Sequence, residues 1–242
     1  MDSVHDVGNN RVIFDLVVDG KGGGYLSSLS EALKKYEIPK ESAFIVFNVI
    51  QKHPNNPFIT LVSIILSQNT SDRNAMLALE RMEKYGMTSP EAILKAGYQK
   101  VLEAVYPSGM GKIKARRILN ISQIVLENGD FLEKVCELGE KGKELLMQLE
   151  GVGLKTADVF MISYCNYPSF PVDRHIARIT ERIVGRKMKY EEISNFWKEK
   201  LGASDYKIAH MKLIAIGRDI CRKRNPKCGM CPLREFCASK RG

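Results

Sequence analysis

Four cysteines carry the clearest chemical signal. Cys221, Cys228, Cys231 and Cys237 fall within 17 residues as C-x6-C-x2-C-x5-C. Four thiolates in one short loop suit a tetrahedral metal or an iron–sulfur cluster. Disulfides are the poorer reading, because the amino terminus reads as no secretion signal and so dense a cluster would have little fold to staple. Zinc sites more often present two Cys-x2-Cys knuckles, and here there is one, so spacing alone puts iron–sulfur only modestly ahead of zinc. Cys136 and Cys165 lie on apolar helical stretches and read as small core residues.

A lysine and an aspartate come next. Leu149-Glu150-Gly151-Val152-Gly153-Leu154-Lys155 places a glycine turn directly before a helix start. Gly151 and Gly153 permit positive φ and bring backbone N–H groups to the surface, and the helix start adds its positive dipole end. The combination can hold a phosphate without reading a base, although a bare Gly-x-Gly is usually just an ordinary turn. An amine attacks only when neutral, and a helix start is where a cation is least favoured, so Lys155 is a candidate nucleophile. Asp173 precedes the apolar-periodic Ile176, Ile179 and Ile183, where Asp is a favoured N-cap. A cap would also fix its carboxylate for chemistry.

The elements that must position these residues read as nearly all helix. Asn56-Pro57 starts one helix, Ser71, Ser89-Pro90 and Gly111 open others, and Gly86, Gly97 and Gly129 close their predecessors. Ile113, Ile118, Ile121, Ile124 and Val125 make a core-facing stripe over 112–128. Val12 to Val18 alternates weakly before a glycine-rich stretch, so residues 1–24 read as an extension with a short strand or hairpin.

The chain has 242 residues, 44% apolar and 27% charged, an ordinary globular balance with room for one large or two modest domains. Its longest apolar run, Phe58 to Leu66, is too short to span a membrane. A soluble intracellular protein is expected, of the cytoplasm or nucleoid if prokaryotic. The net charge of +9 is uneven: Arg218 to Gly242 holds eight Lys and Arg against two acids. Lys112, Lys114, Arg116 and Arg117 form a second run. Either run alone reads as a solvated face. Together, at a pI near 9.2, they raise the prospect of a phosphate-bearing partner.

These segments converge on one family. Leu149 to Asp158 resembles the helix–hairpin–helix motif of DNA glycosylases, and Pro171-Val172-Asp173-Arg174-His175 resembles the aspartate segment of that superfamily. The cysteine spacing matches the 4Fe-4S loop of its endonuclease III branch. The resemblance runs from about residue 45 to Cys237. It implies an all-α, two-lobed fold: a six-helix barrel lobe over 49–167 that ends in the hairpin, and a cluster lobe joining 25–48 to 168–242. Residues 1–24 have no counterpart.

It also implies roles. Lys155 would attack the sugar C1′ and form a Schiff base, so that glycosylase and AP lyase share one residue. Asp173 would stabilise positive charge on the sugar and help deprotonate the amine. Gln68 and Met110 would fill the gap left by an extruded base; by themselves they read as a helix-terminal polar residue and an ordinary turn or core residue. Gly151, Gly153, Arg222, Lys223 and Arg224 would meet DNA phosphates. Cys221, Cys228, Cys231 and Cys237 would hold the cluster. The implied partner is double-stranded DNA with damaged bases or abasic sites, met by a monomer. Oxidised pyrimidines are the inherited substrate class. Lysine at 155 speaks against a mismatch enzyme without lyase activity, and Val62-Ser63-Ile64 lacks the carboxylate of adenine-specific relatives. Glu150 replaces a proline common in relatives and sets an acid beside the phosphate site. His175 is read as supporting or structural. The rival reading is a non-catalytic protein that recognises DNA structure, or a relative with another lesion range.

Overall fold

The computed structural model describes residues 28–39 and 44–240. The strand or hairpin expected within residues 1–24 lies outside the described residues. Among those described, all regular structure is helical, and no helix is long and apolar enough to cross a membrane.

The first lobe is built from α2 (Ile45–Lys52), α3 (Pro57–Ser67), α4 (Asp72–Lys84), α5 (Pro90–Val105), α6 (Gly111–Glu127), α7 (Phe131–Leu138), α8 (Glu140–Leu146) and α9 (Leu154–Ser163). The helix starts follow side-chain capping. Asn56 accepts from Ile59 N–H ahead of Pro57, and Ser71 and Ser89 cap α4 and α5 in the same way. Pro57 to Leu66 is buried on every side, so α3 is the central helix and needs no polar face. Gly97, at φ 75°, breaks α5 into two helical pieces where the sequence places a stop.

The second lobe contains α1 (Leu29–Lys35), α10 (Arg174–Val184), α11 (Tyr190–Lys200) and α12 (Tyr206–Asp219). Its core surrounds Trp197, Phe170, Ile179 and Leu213. Trp197 Nε1 donates to Thr180 Oγ1 at 2.8 Å, which satisfies the one polar atom of the buried indole. Helix α9 serves both cores, with Phe160 and Met161 in the first and Ile162 in the second. An Arg218–Asp72 ion pair at 2.6 Å and a Lys207 Nζ bond to Ser163 O at 2.9 Å also tie the lobes together.

One expectation is corrected. Cys136 and Cys165 are not free core residues but a disulfide, with Cα atoms 5.0 Å apart. Each side chain does pack against the first core. The fold brings Cys136 of α7 and Cys165, just past the end of α9, within bridging distance, a juxtaposition 29 residues apart in sequence that local pattern cannot show.

Candidate active site at the lobe junction

The glycine turn closes between α8 and α9. Gly151 has φ +84°, a conformation that favours glycine, and the end of the Arg117 side chain lies 2.5 Å from where a Cβ would sit. Gly153 departs from expectation. It is the N-cap of α9 with extended backbone at φ −93°, ψ 179°, because a cap residue sits in the β region before the helix begins. Positive φ is therefore a property of Gly151 alone in this turn. Glu150 faces α6, pairing with Arg116 at 3.3 Å and lying 3.9 Å from Arg117 Nε.

Lys155 follows in the first turn of α9, exposed, and its amine has no hydrogen bond or ion pair among the described residues. Asp173 caps α10 from the other lobe. Its Oδ1 accepts both His175 N–H and Ile176 N–H at 2.8 Å, and no described donor occupies Oδ2. Both residues act on His210 of α12, which is 5% exposed and has an unpartnered Nε2. Burial lowers the His210 pKa to about 4. Against this, Asp173 raises it, whereas Lys155 and Arg218 lower it further. A buried imidazole of lowered pKa thus lies within the electrostatic reach of both Lys155 and Asp173. Nothing in the sequence singles out His210, a lone histidine in an apolar helix.

His175 packs on Gly217, whose Cβ would meet it at 2.5 Å. Burial lowers its pKa, opposed by Asp173 and by a backbone bond to Gly217. Its Nδ1 is 3.1 Å from Arg178 NH2, and Arg178 also donates to Gly217 O at 2.7 Å and Cys221 O at 2.8 Å. The aspartate helix is thereby tied to the cysteine loop.

Gln68 and Met110 lie on neighbouring turns of the first lobe. Both Asn69 and Met110 adopt φ 53°, and Asn69 Nδ2 is 3.9 Å from Met110 Sδ. Met110 is 44% exposed at the N-cap of α6. Gln68 is engaged by the hairpin: Nε2 donates to Gly151 O at 2.9 Å and Thr156 Oγ1 at 3.1 Å, and Oε1 accepts from Arg117 at 3.4 Å. Beneath both turns lies Lys114, only 1% exposed, donating to Leu66 O at 2.7 Å and Ser108 O at 2.8 Å. The second basic run is therefore not a uniform face. Lys114 turns inward, Arg117 lies against Gly151, and Lys112 and Arg116 stay exposed.

The four remaining cysteines are unpaired, half-buried thiols. With Ile220, Pro226 and Arg182 they line a cavity of about 210 Å³. Four thiols lining one cavity supply the donor set that an iron–sulfur cluster requires. Arg182 supports the wall: NH1 donates to Cys221 Sγ at 3.2 Å and Arg222 O at 2.8 Å, and NH2 to Lys223 O at 3.2 Å. Arg222, Lys223 and Arg224 themselves are exposed.

A two-lobed helical fold, a lysine at the hairpin, a capping aspartate and a four-cysteine cavity point to the helix–hairpin–helix glycosylase class. Residues 62–202 match the HhH-GPD superfamily of base excision DNA repair proteins, and residues 221–237 match the iron–sulfur binding domain of endonuclease III. Endonuclease III of Sulfolobus acidocaldarius is 34% identical over 185 residues, covering 75% of this chain and 82% of that protein. The Thermotoga maritima endonuclease III is 31% identical over 195 residues, covering 78% and 88%. An endonuclease III from a non-covalent DNA complex superposes with TM-score 0.64 at 23% identity, covering 81% of this chain and 92% of that one. A thermostable thymine-DNA glycosylase gives 0.67 at 17% identity, covering 86% and 91%; both likenesses concern the fold. The chain belongs to the helix–hairpin–helix base excision repair superfamily, as an endonuclease III-like DNA glycosylase and AP lyase with a 4Fe-4S cluster.

Proposed function

We propose that this enzyme removes oxidised pyrimidines from double-stranded DNA and then cuts the strand 3′ to the abasic site by β-elimination. The observation that supports it most is Lys155, exposed and unpartnered on the hairpin, acting with Asp173 on the same buried histidine. A protein that only binds DNA structure needs neither side chain in this arrangement.

The base leaves the stack first, because its glycosidic bond is inaccessible within the duplex. The Lys155 ammonium gives up a proton, with Asp173 Oδ2 the available acceptor. Its lone pair attacks C1′ as the C1′–N bond breaks, and the base departs with that electron pair and takes up a proton. Carboxylate charge at Asp173 stabilises the positive sugar carbon as the bond breaks. The sugar ring opens to a Schiff base on Lys155, loss of a 2′ proton expels the 3′ phosphate, and water releases the lysine.

Met110 is the exposed apolar wedge of the proposed DNA face. Gln68 joins it only by exchanging its hairpin bonds for contacts with DNA. Backbone N–H groups of Gly151 and Gly153 hold a phosphate at the start of α9, and Arg222, Lys223 and Arg224 hold others. When bound by its four cysteines, the cluster supplies a rigid support for that basic loop. Base excision transfers no electron.

Borohydride trapping on duplexes with single lesions tests the reading. Wild-type enzyme should give a covalent adduct on an oxidised-pyrimidine duplex, and Lys155→Ala should give none. An adduct that persists in the variant refutes the lysine mechanism. Base release without nicking refutes the lyase step, and preference for a T:G mismatch over oxidised pyrimidines overturns the substrate class.

A further inference from the structure

We propose that Tyr190 is a positioning residue for the Lys155–Asp173 pair, its hydroxyl joining the helix that carries the lysine to the segment that carries the aspartate. The inference rests on the lysine mechanism proposed above. Asp158 lies one turn beyond Lys155 on α9 and is 4% exposed. Its Oδ2 accepts from Tyr190 OH at 2.7 Å. The same hydroxyl oxygen accepts from the N–H of Val172 at 3.2 Å, and Val172 immediately precedes Asp173. One oxygen atom therefore bonds to both sides of the reaction centre.

The chain itself does not fix this geometry. Residues 164–173 connect α9 to the cap of α10 without regular structure, so the separation of amine and carboxylate depends on cross-links. Ser169 Oγ makes a second one, to Asp158 Oδ1 at 2.9 Å, and Ser194 Oγ holds Phe170 O at 2.9 Å from the second lobe. Asp158 is not a competing base. Lys143 neutralises it at 3.4 Å, and the hydroxyls of Ser169 and Tyr190 occupy its two oxygens. Burial and the Asp158 carboxylate raise the phenol pKa, so the hydroxyl remains a donor throughout the working pH range.

Tyr190→Phe removes the shared oxygen and keeps the ring. Tyr206→Phe is the control, since its hydroxyl donates to Lys198 O within the second lobe and touches neither side of the pair. Three quantities are read on cluster-loaded protein: single-turnover Schiff-base formation on an abasic-site duplex, Kd for a duplex with a stable abasic analogue, and thermal melting. Small displacements of reacting groups cost up to about 100-fold. Tyr190→Phe should slow the chemical step about 10-fold or more, leave Kd within about 2-fold, and melt close to Tyr206→Phe, which reacts at the wild-type rate. An unchanged rate in Tyr190→Phe overturns the proposal. So does an equal slowing in both variants, or a rate loss matched by a loss of affinity. If Lys155→Ala still traps, the lysine mechanism has failed instead, a result independent of how Tyr190→Phe compares with its control.

Discussion

Replacing Lys114 by Met has a magnitude that the structure supplies. The ammonium donates to Leu66 O and Ser108 O, and each bond from a charged donor contributes about 1.5–3 kcal/mol. Burial, and secondarily Arg117, lowers its pKa from 10.5 to about 8, so keeping the charge buried costs about 3 kcal/mol. The two effects largely cancel, and Lys114→Met should lose only about 0–3 kcal/mol at neutral pH. The pH dependence is more telling. Between about pH 8 and 10 the unfolded chain holds this proton and the folded chain does not, so wild-type stability rises with pH on this account. Relative to Lys114→Met, wild type should gain about 2 kcal/mol between about pH 8 and 9.5. Urea unfolding of both proteins at the two pH values reads this directly, and the contribution of other groups cancels in the difference. Parallel curves, or a loss above about 5 kcal/mol at neutral pH, would refute a buried, charge-penalised bridge.

Other expectations concern acid, redox state and the cysteine loop. His210 is neutral in the fold down to about pH 4, whereas an unfolded histidine protonates near 6.5. Stability should therefore fall by about 3 kcal/mol as pH drops from about 6.5 to 4, and His210→Gln should flatten that slope in acid titrations followed by circular dichroism. The Cys136–Cys165 bridge closes a long loop; on chain-entropy grounds a Cys136→Ser/Cys165→Ser variant should lose about 3–4 kcal/mol, measured by denaturation without reductant. Reversing charge at Lys223 and Arg224 should weaken duplex binding and flatten its salt dependence; an unchanged salt slope would remove this loop from the DNA interface.

The sequence revealed the fold's helical character because its signals are local. Asn56, Ser71 and Ser89 cap where polar side chains precede apolar periodicity, and Asp173 does the same at the start of α10. The four cysteines were equally legible, lying within one loop. What stayed hidden depends on distant segments meeting. Lys114 belongs to a basic run, yet its backbone position on α6 aims it under two turns. Arg117 covers Gly151, and Glu150 turns toward α6. Tyr190 and His210 carry no motif, and their interest comes from what α11 and α12 place beside α9. Gly153 shows a different limit, since a glycine's freedom does not mean that freedom is used.

The disulfide has a mechanical consequence. Its two cysteines bracket α8, the hairpin and the whole of α9. Tension applied to the chain ends crosses directly from α7 to the end of α9 through the two sulfur atoms. The bracketed backbone, with Lys155 inside it, is then a slack side loop that can neither be stretched nor threaded out in extended form. A cut anywhere within it also leaves the molecule in one covalent piece. Pulling in a reducing solution should lengthen the unfolding contour by that loop, about 10 nm at full extension, so the redox state of one cysteine pair decides whether force reaches the hairpin and α9 at all.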